Sequence, residues 1–302
     1  MEGHTLYALA SMTRRNLKIF LRDRAAVFFS LLAPLIVLLL YILFLGDVQV
    51  ESVRGAIPEG VAVEDGAVRG FVDSWMVAGV LSVACITVSL GANSVMVQDR
   101  VRGVIRDSMA APVRRAAVTA SYFLYNFIVT AFICLLVSGA CLLYLYASGG
   151  FFLTGADIVT AIGILLLSAL SATTLTVLVT SFFRSESALS AFVGIVSAAV
   201  GFVIGAYMPM SIFPRAVQYA VCFIPGTYSA SLFRTVLMRG AHANLAHALP
   251  DEAAQGIADA FSMRLDFFGA EVPVYAMWLV LAGSALLFAL LNILFSARRR
   301  HI

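Results

Sequence analysis

Residues 98–115 read QDRVRGVIRDSMAAPVRR, and five of these eighteen residues are arginine. Apolar runs long enough to cross a membrane lie on both sides of this stretch. Its place between them decides how the rest of the chain is read. The chain has 302 residues, 61% of them hydrophobic and 12% charged, with a mean hydropathy of +0.96. A soluble domain carries about 25% charged residues. Twelve per cent cannot cover the apolar surface, so lipid is the solvent. The net charge of +3 is small; the placement of the charges says more.

Six runs have the length of spanning helices: 25–45, 75–97, 122–147, 158–183, 188–208 and 274–295. Each is near the ~20 residues that cross about 30 Å of hydrocarbon. Backbone groups in lipid must bond within their own segment, and the runs do not alternate as barrel strands do, so the expected class is all-α integral membrane. The first run is too long for the apolar part of a cleaved signal and no small-residue cleavage site follows it. It is expected to be retained as an anchor and first span.

With the amino terminus inside, the inner segments hold 14 of the 20 basic residues: Arg14, Arg15, Lys18, Arg22 and Arg24, the five of the opening stretch, Arg184, and Arg298, Arg299 and Arg300. Twelve of the 17 acids fall outside. The positive-inside rule then predicts both termini in the cytoplasm and residues 98–115 in a cytoplasmic loop. Residues 209–272 resist a seventh span. Pro209, Pro214 and Pro225 break the segment, and one more crossing would put ARRRHI (297–302) on the wrong side. Two short re-entrant helices on the outer face, followed by an outer loop, are expected there. Soluble outer pieces are expected at 47–71 and 241–273, the latter with a helix opened by PDEAAQGIADAF (250–261). His242 and His247, five apart, do not share a helical face, so no metal site is expected. Cys85, Cys134, Cys141 and Cys222 fit neither a disulfide framework nor a zinc site and read as small buried residues.

Drawn as one helix, the opening stretch puts Val101, Val104, Ile105, Ser108 and Met109 on one side and Asp99, Arg100, Arg102, Arg106 and Asp107 on the other, an apolar arc of about 140°. Pro112 ends it. Such a helix either lies on the inner headgroups or docks a soluble partner; geometry alone does not choose. Residues 1–24 behave similarly. Leu6, Leu9, Ala10, Thr13, Leu17, Phe20 and Leu21 share a face, and the cations lie beside or opposite it, as in an interfacial helix.

Span centres contain no ionisable residue, which argues against an ion-coupled carrier. Thr87, Asn93, Asn126, Thr173, Thr174, Thr176 and Asn292 are polar residues suited to hydrogen bonds between helices or to lining a path. A phosphate-binding P-loop needs a lysine after its second glycine, and the sole lysine, Lys18, follows RRNL. If ATP drives this protein, another chain binds it. Ser190, Gly194, Ala198, Gly201 and Gly205 recur at helical intervals in the fifth run and suit close helix packing, within the chain or between subunits.

The order of elements, with two motifs, resembles the permease subunit of ATP-binding-cassette transporters of the type-2 exporter family, over essentially the whole chain. The family's first cytoplasmic loop has an acid, a glycine four residues on and a proline nine residues later; Asp99, Gly103 and Pro112 match. The family often has Thr after the glycine and an acid three residues after it, where this chain has Val104 and Arg106. After the fifth span the family reads roughly N-P-x-T-Y with an arginine nine residues after the proline. IPGTYSASLFR (224–234) supplies Pro225, Thr227, Tyr228 and Arg234, with Ile224 for the Asn.

The resemblance implies a permease of a bacterial cytoplasmic membrane, paired with a second permease subunit as a homo- or heterodimer. A separate nucleotide-binding ATPase subunit would hold ATP and Mg, with no cofactor on this chain and no nucleic-acid partner. Asp99, Arg100, Arg102, Gly103, Val104, Arg106, Asp107, Met109 and Pro112 would form the coupling helix against that ATPase. Pro225, Thr227, Tyr228 and Arg234 would belong to an outer gate. Thr87, Asn93, Gly194, Ala198, Gly201 and Gly205 would line the path or pack the dimer, and drugs, lipids or other amphiphiles would move outward. An integral-membrane lipid-modifying enzyme is the alternative from another class, with Tyr228 and Arg234 or the two histidines as its groups. Turnover without ATP would favour it. An ion-coupled carrier is weaker still.

Overall fold

The computed structural model describes residues 2–105 and 115–298. Helix α1 (Glu2–Arg22) leads through Asp23, whose carboxylate accepts from the Ala26 amide at 2.9 Å, into α2 (Arg24–Leu40). A π-turn, Tyr41–Leu45, carries the helix on into α3 (Gly46–Ala56). The continuous helix Arg24–Ala56 has 33 residues, roughly 50 Å at 1.5 Å per residue, well beyond the hydrocarbon thickness. The first span was expected to stop at 45, but its helix runs on to Ala56; within the outer piece expected at 47–71, α3 and residues 65–71 are helical. The reason is electrostatic: Asp47 pairs with Arg69 (2.9 Å), and Arg54 with Glu51 (3.1 Å) and Asp65 (2.8 Å). These pairs run the helix against the start of α4 and at the same time hide it from a hydropathy reading.

Helix α4 (Asp65–Ala92) is the axis of the molecule. It begins ten residues earlier than the predicted span, and its hydrophobic window is 83% buried. A kink at Asn93 leads to α5 (Ser94–Val101). Then come α6 (Arg115–Ala147), α7 (Gly155–Thr180) and α8 (Glu186–Val203). Helix α7 opens on a capping box between Thr154 and Asp157, and α8 on a Ser185 cap. A 3-10 turn (Met210–Ile212) precedes α9 (Arg215–Val221), α10 (Pro225–Leu237), α11 (Arg239–Ala246) and α12 (Asp251–Ala260). Strands β1 (Asp266–Phe267) and β2 (Ala270–Glu271) form an antiparallel hairpin, and α13 (Val274–Arg298) closes the described chain.

Among the described residues, six helices are long and apolar enough to cross a membrane, in the order expected. The fifth, ending at Val203, is shorter than its predicted 188–208. Around α4 pack α2, α3, α6, α7, α8, α10 and α11; α13 lies on α7 and α10. The spans Arg24–Ala56, α8 and α13 are the least buried of the six. Those three spans therefore turn apolar faces outward, as helices bathed in lipid or covered by another chain do.

Contacts among α4, α6 and α7 at the centre are polar. Asn126 Oδ1 accepts from Ser89 (3.0 Å), Thr130 (3.0 Å) and Thr173 (3.3 Å), while its Nδ2 donates to the Ser89 carbonyl (2.9 Å). Ser89 and Thr176 share a 2.6 Å hydrogen bond. All five residues are buried. Each such bond is worth only about 0.6 kcal/mol in a membrane, yet together they fix which helices meet and in what register. The four cysteines are free and buried, as expected.

Candidate functional site

Asp99 lies in the last turn of α5 and is 4% exposed. Its two oxygens take a bidentate grip from Arg15 of α1, at 2.6 and 2.8 Å, and Oδ2 also accepts from the Tyr122 hydroxyl of α6 at 2.6 Å. Hydrogen bonding to Asp99 raises the Arg15 pKa above its ordinary value, against an opposing effect of burial. Three helices from distant parts of the sequence are thus joined at one carboxylate. Its neighbour Arg100 reaches the other way: Nη1 donates to the carbonyls of Ser181 and Phe183, each at 2.7 Å. Those oxygens close the end of α7, where unsatisfied carbonyls attract a cation. Adjacent residues of one motif therefore clamp α1, α6 and α7 to the end of the second span.

The predicted single helix over 98–112 is broken. It stops at Val101, Arg102 and Gly103 form a turn, and Gly103 takes φ +79°, a conformation glycine adopts without steric cost. Helical geometry resumes at Val104 and Ile105. The break removes Val101 from the apolar register expected of it; its side chain is 53% exposed. Arg102 is exposed, while Val104 and Ile105 are half-buried. Arg106, Asp107, Met109 and Pro112 lie outside the described residues.

Along α1, Thr13, Asn16 and Phe20 turn into the bundle, with Phe20 edge-on to Tyr125 of α6 at 6.2 Å. Leu6 and Leu21 face outward at 67% and 59% exposure. The single apolar face read from sequence is therefore split: one edge packs on protein, and the other is left for a different surface.

The second motif builds α10. Pro225 stands at its first turn, where a missing amide costs nothing. Thr227 donates to the Val221 carbonyl at 2.6 Å and ties α10 back to α9. Gly226 passes so close to α4 and α8 that a Cβ there would meet Ile86 at 2.7 Å and Ile204 at 3.2 Å. Ser229 donates to Ser168 of α7 at 2.7 Å. Tyr228 is buried. Arg234 is wholly buried: its guanidinium donates to the Gly205 carbonyl just past α8 and sits 5.7 Å from the centroid of the Trp75 ring of α4. Its Nε and Nη1 have no hydrogen-bond partner among the described residues. Tyr41, in the π-turn, donates to the Ala206 carbonyl at 2.6 Å and packs edge-on to Trp75. Four segments thus converge on Trp75 and Arg234. Trp75 and Asp99 are twenty-four positions apart on near-continuous helix, roughly 36 Å along it, so the two clusters stand far apart on one rod.

Other predicted residues are scattered. Thr87 bonds to its own helix through the Val83 carbonyl (3.1 Å), and Asn93 is buried at the kink. Asn292 links α13 to the Thr174 carbonyl at 2.8 Å. Gly201 and Gly205 are buried in the closing turn of α8, with Gly205 at φ +69° and Gly201 under the Tyr207 ring. Gly194 and Ala198 face outward. His242 Nε2 lies 3.3 Å from the Ala254 carbonyl. Arg15, Tyr122, Tyr41 and Trp75, which complete the two clusters, were not singled out from sequence; their only signals were membership of a basic run and of apolar runs.

The family model described as ABC-2 family transporter protein matches residues 47–294. No curated protein matches the chain. The matched region holds four of the six spans entire and nearly all of the last, most of α3, and both clusters except Arg15 and Tyr41. The chain belongs to the ABC-2 transporter family and is a multi-pass membrane permease of an ABC transporter.

Proposed function

We propose that this chain is the membrane-spanning half of an ATP-driven exporter of drugs, lipids or other amphiphiles, with both termini in the cytoplasm of a bacterial cell. ATP and Mg are held by a separate nucleotide-binding ATPase subunit. Two permease subunits, identical or related, enclose the path, surrounded by membrane lipid. The observation that carries this reading is the family match across 47–294. The clamp at Asp99 and Arg100 supports it by giving the coupling region a rigid connection to three other helices. A push on residues 102–115 by the ATPase is passed to α1, α6 and the end of α7 together. At the far end, α9 and α10 act as the outer gate, re-entering the membrane between α8 and α13, with Arg234 as its pin.

Inside-out vesicles holding the chain and a P-loop ATPase subunit test this. They should take up a fluorescent amphiphilic dye when given ATP and Mg, and should stop with a non-hydrolysable analogue. Uptake driven by an ion gradient without ATP would place the protein among secondary carriers, and lipid turnover by the purified chain would make it an enzyme.

A further inference from the structure

The turn joining β1 to β2 is Phe268–Gly269, and both residues have positive φ, 52° and 84°. Hairpin turns with two left-handed residues ordinarily take asparagine before the glycine, because few side chains tolerate that backbone. Here the place is held by a phenylalanine that is 63% exposed. Neither its backbone nor water favours that ring, so a contact beyond this chain is indicated. It is not an isolated ring. Tyr219 of α9 stacks on Phe268 at 4.3 Å, Phe267 meets Phe268 at 4.7 Å, and Phe267 meets Phe223 at 5.9 Å. Phe223 is 74% exposed. Exposed Arg215 lies one helical turn before Tyr219.

The position of this patch says what covers it. Glu271, the end of β2, is three residues from Val274, the first residue of a span. Three residues reach at most about 10 Å, so the hairpin stands at the end of α13. The outward face of α13 continues from there through Tyr275, 70% exposed, to Leu279 and Leu286. Tyrosine and tryptophan concentrate where hydrocarbon gives way to headgroups, ring in the first and polar group toward the second. Tyr219 and Tyr275 supply that signature here, and the three phenylalanines add apolar area beside Tyr219. The flanking charges fit that boundary too: Asp266 and Glu271 on the strands are exposed, as is Arg215. The core of a subunit interface is depleted of such charges. We propose that the β-hairpin and α9 form an anchor seated in the headgroup boundary of the leaflet that α13 enters. The occupant of the patch is phospholipid: the rings rest on upper acyl chains and Arg215 meets phosphate.

The full-length chain in phosphatidylcholine nanodiscs tests this, with Phe268→Trp placed in a Trp278→Phe background and the emission of the remaining buried Trp75, measured on that background alone, subtracted. Lipid brominated near the top of its acyl chains should remove roughly half of the introduced indole's emission, and aqueous iodide much less, because the ring sits at the lipid boundary. Phe223→Trp should behave the same way and guards against a local defect in the turn. Iodide quenching equal to or stronger than that by brominated lipid overturns the proposal. So does quenching by neither, which would mean a protein cover such as a second copy of the chain.

Discussion

Arg15 and Asp99 stand 84 positions apart and meet in a two-point ion pair, with the carboxylate almost fully buried and the arginine side chain 38% exposed. Removing one partner of a fully buried pair costs about 3–5 kcal/mol, and of an exposed pair under about 1. Arg15→Ala is expected to fall between, at about 1–3 kcal/mol. With Asp99→Ala it should show a coupling of roughly 1–2 kcal/mol in a double-mutant cycle read by unfolding in nanodiscs. Additive losses would mean that the pair transmits nothing between α1 and α5.

Arg100 and Arg102 are neighbours on one motif with different duties. Arg100→Ala leaves the Ser181 and Phe183 carbonyls without their cation and should destabilise the chain by about 1–3 kcal/mol. Exposed Arg102, replaced by Glu, should leave unfolding within about 0.5 kcal/mol of wild type. It should nevertheless lower permease-stimulated ATP hydrolysis by about tenfold, as loss of one well-placed charge at an interface does. Full stimulation by the Arg102→Glu protein would remove that residue from the coupling surface.

The sequence carried more of the fold than of the site. Six apolar runs and a skew of arginine suffice for six spanning helices, because lipid leaves the backbone no other solution. Helix ends were misplaced where charges pair across elements: Asp47 with Arg69 and Arg54 with Asp65 look like loop residues until their partners are seen. Motif spacing pointed to Asp99 and Arg234. Their partners Arg15, Tyr122 and Trp75 come from distant elements, and no local period encodes a tertiary contact. The break at Gly103 was also concealed, since a regular helical plot assumes the very continuity that a left-handed residue interrupts.

Arg234 is an expensive residue to bury, and that separates stability from function. With no acidic partner and two guanidinium nitrogens left without an acceptor among the described residues, Arg234 bears a desolvation cost that an apolar side chain of similar volume removes. Arg234→Met is expected to unfold at the same temperature as wild type or higher, while ATP-dependent dye uptake is lost. A markedly lowered unfolding temperature would assign the arginine to holding the Gly205 turn rather than to the gate.

Gly194 and Gly201 lie two turns apart on α8 and face different neighbours. A Cβ at Gly201 would stand 2.2 Å from the Tyr207 ring, whereas nothing lies within 4 Å of one at Gly194. Gly201→Ala should therefore cost about 1–3 kcal/mol through overpacking. Gly194→Leu should leave the unfolding of a single chain unchanged within about 0.5 kcal/mol. If α8 carries the contact between permease subunits, the added side chain also forces two backbones apart where small residues let them approach. The fraction of cross-linked dimer in the membrane should then fall several-fold for Gly194→Leu and stay high for Gly201→Ala. Equal cross-linking in both would move the subunit interface away from the Gly194 face, toward the exposed faces of α2 or α13.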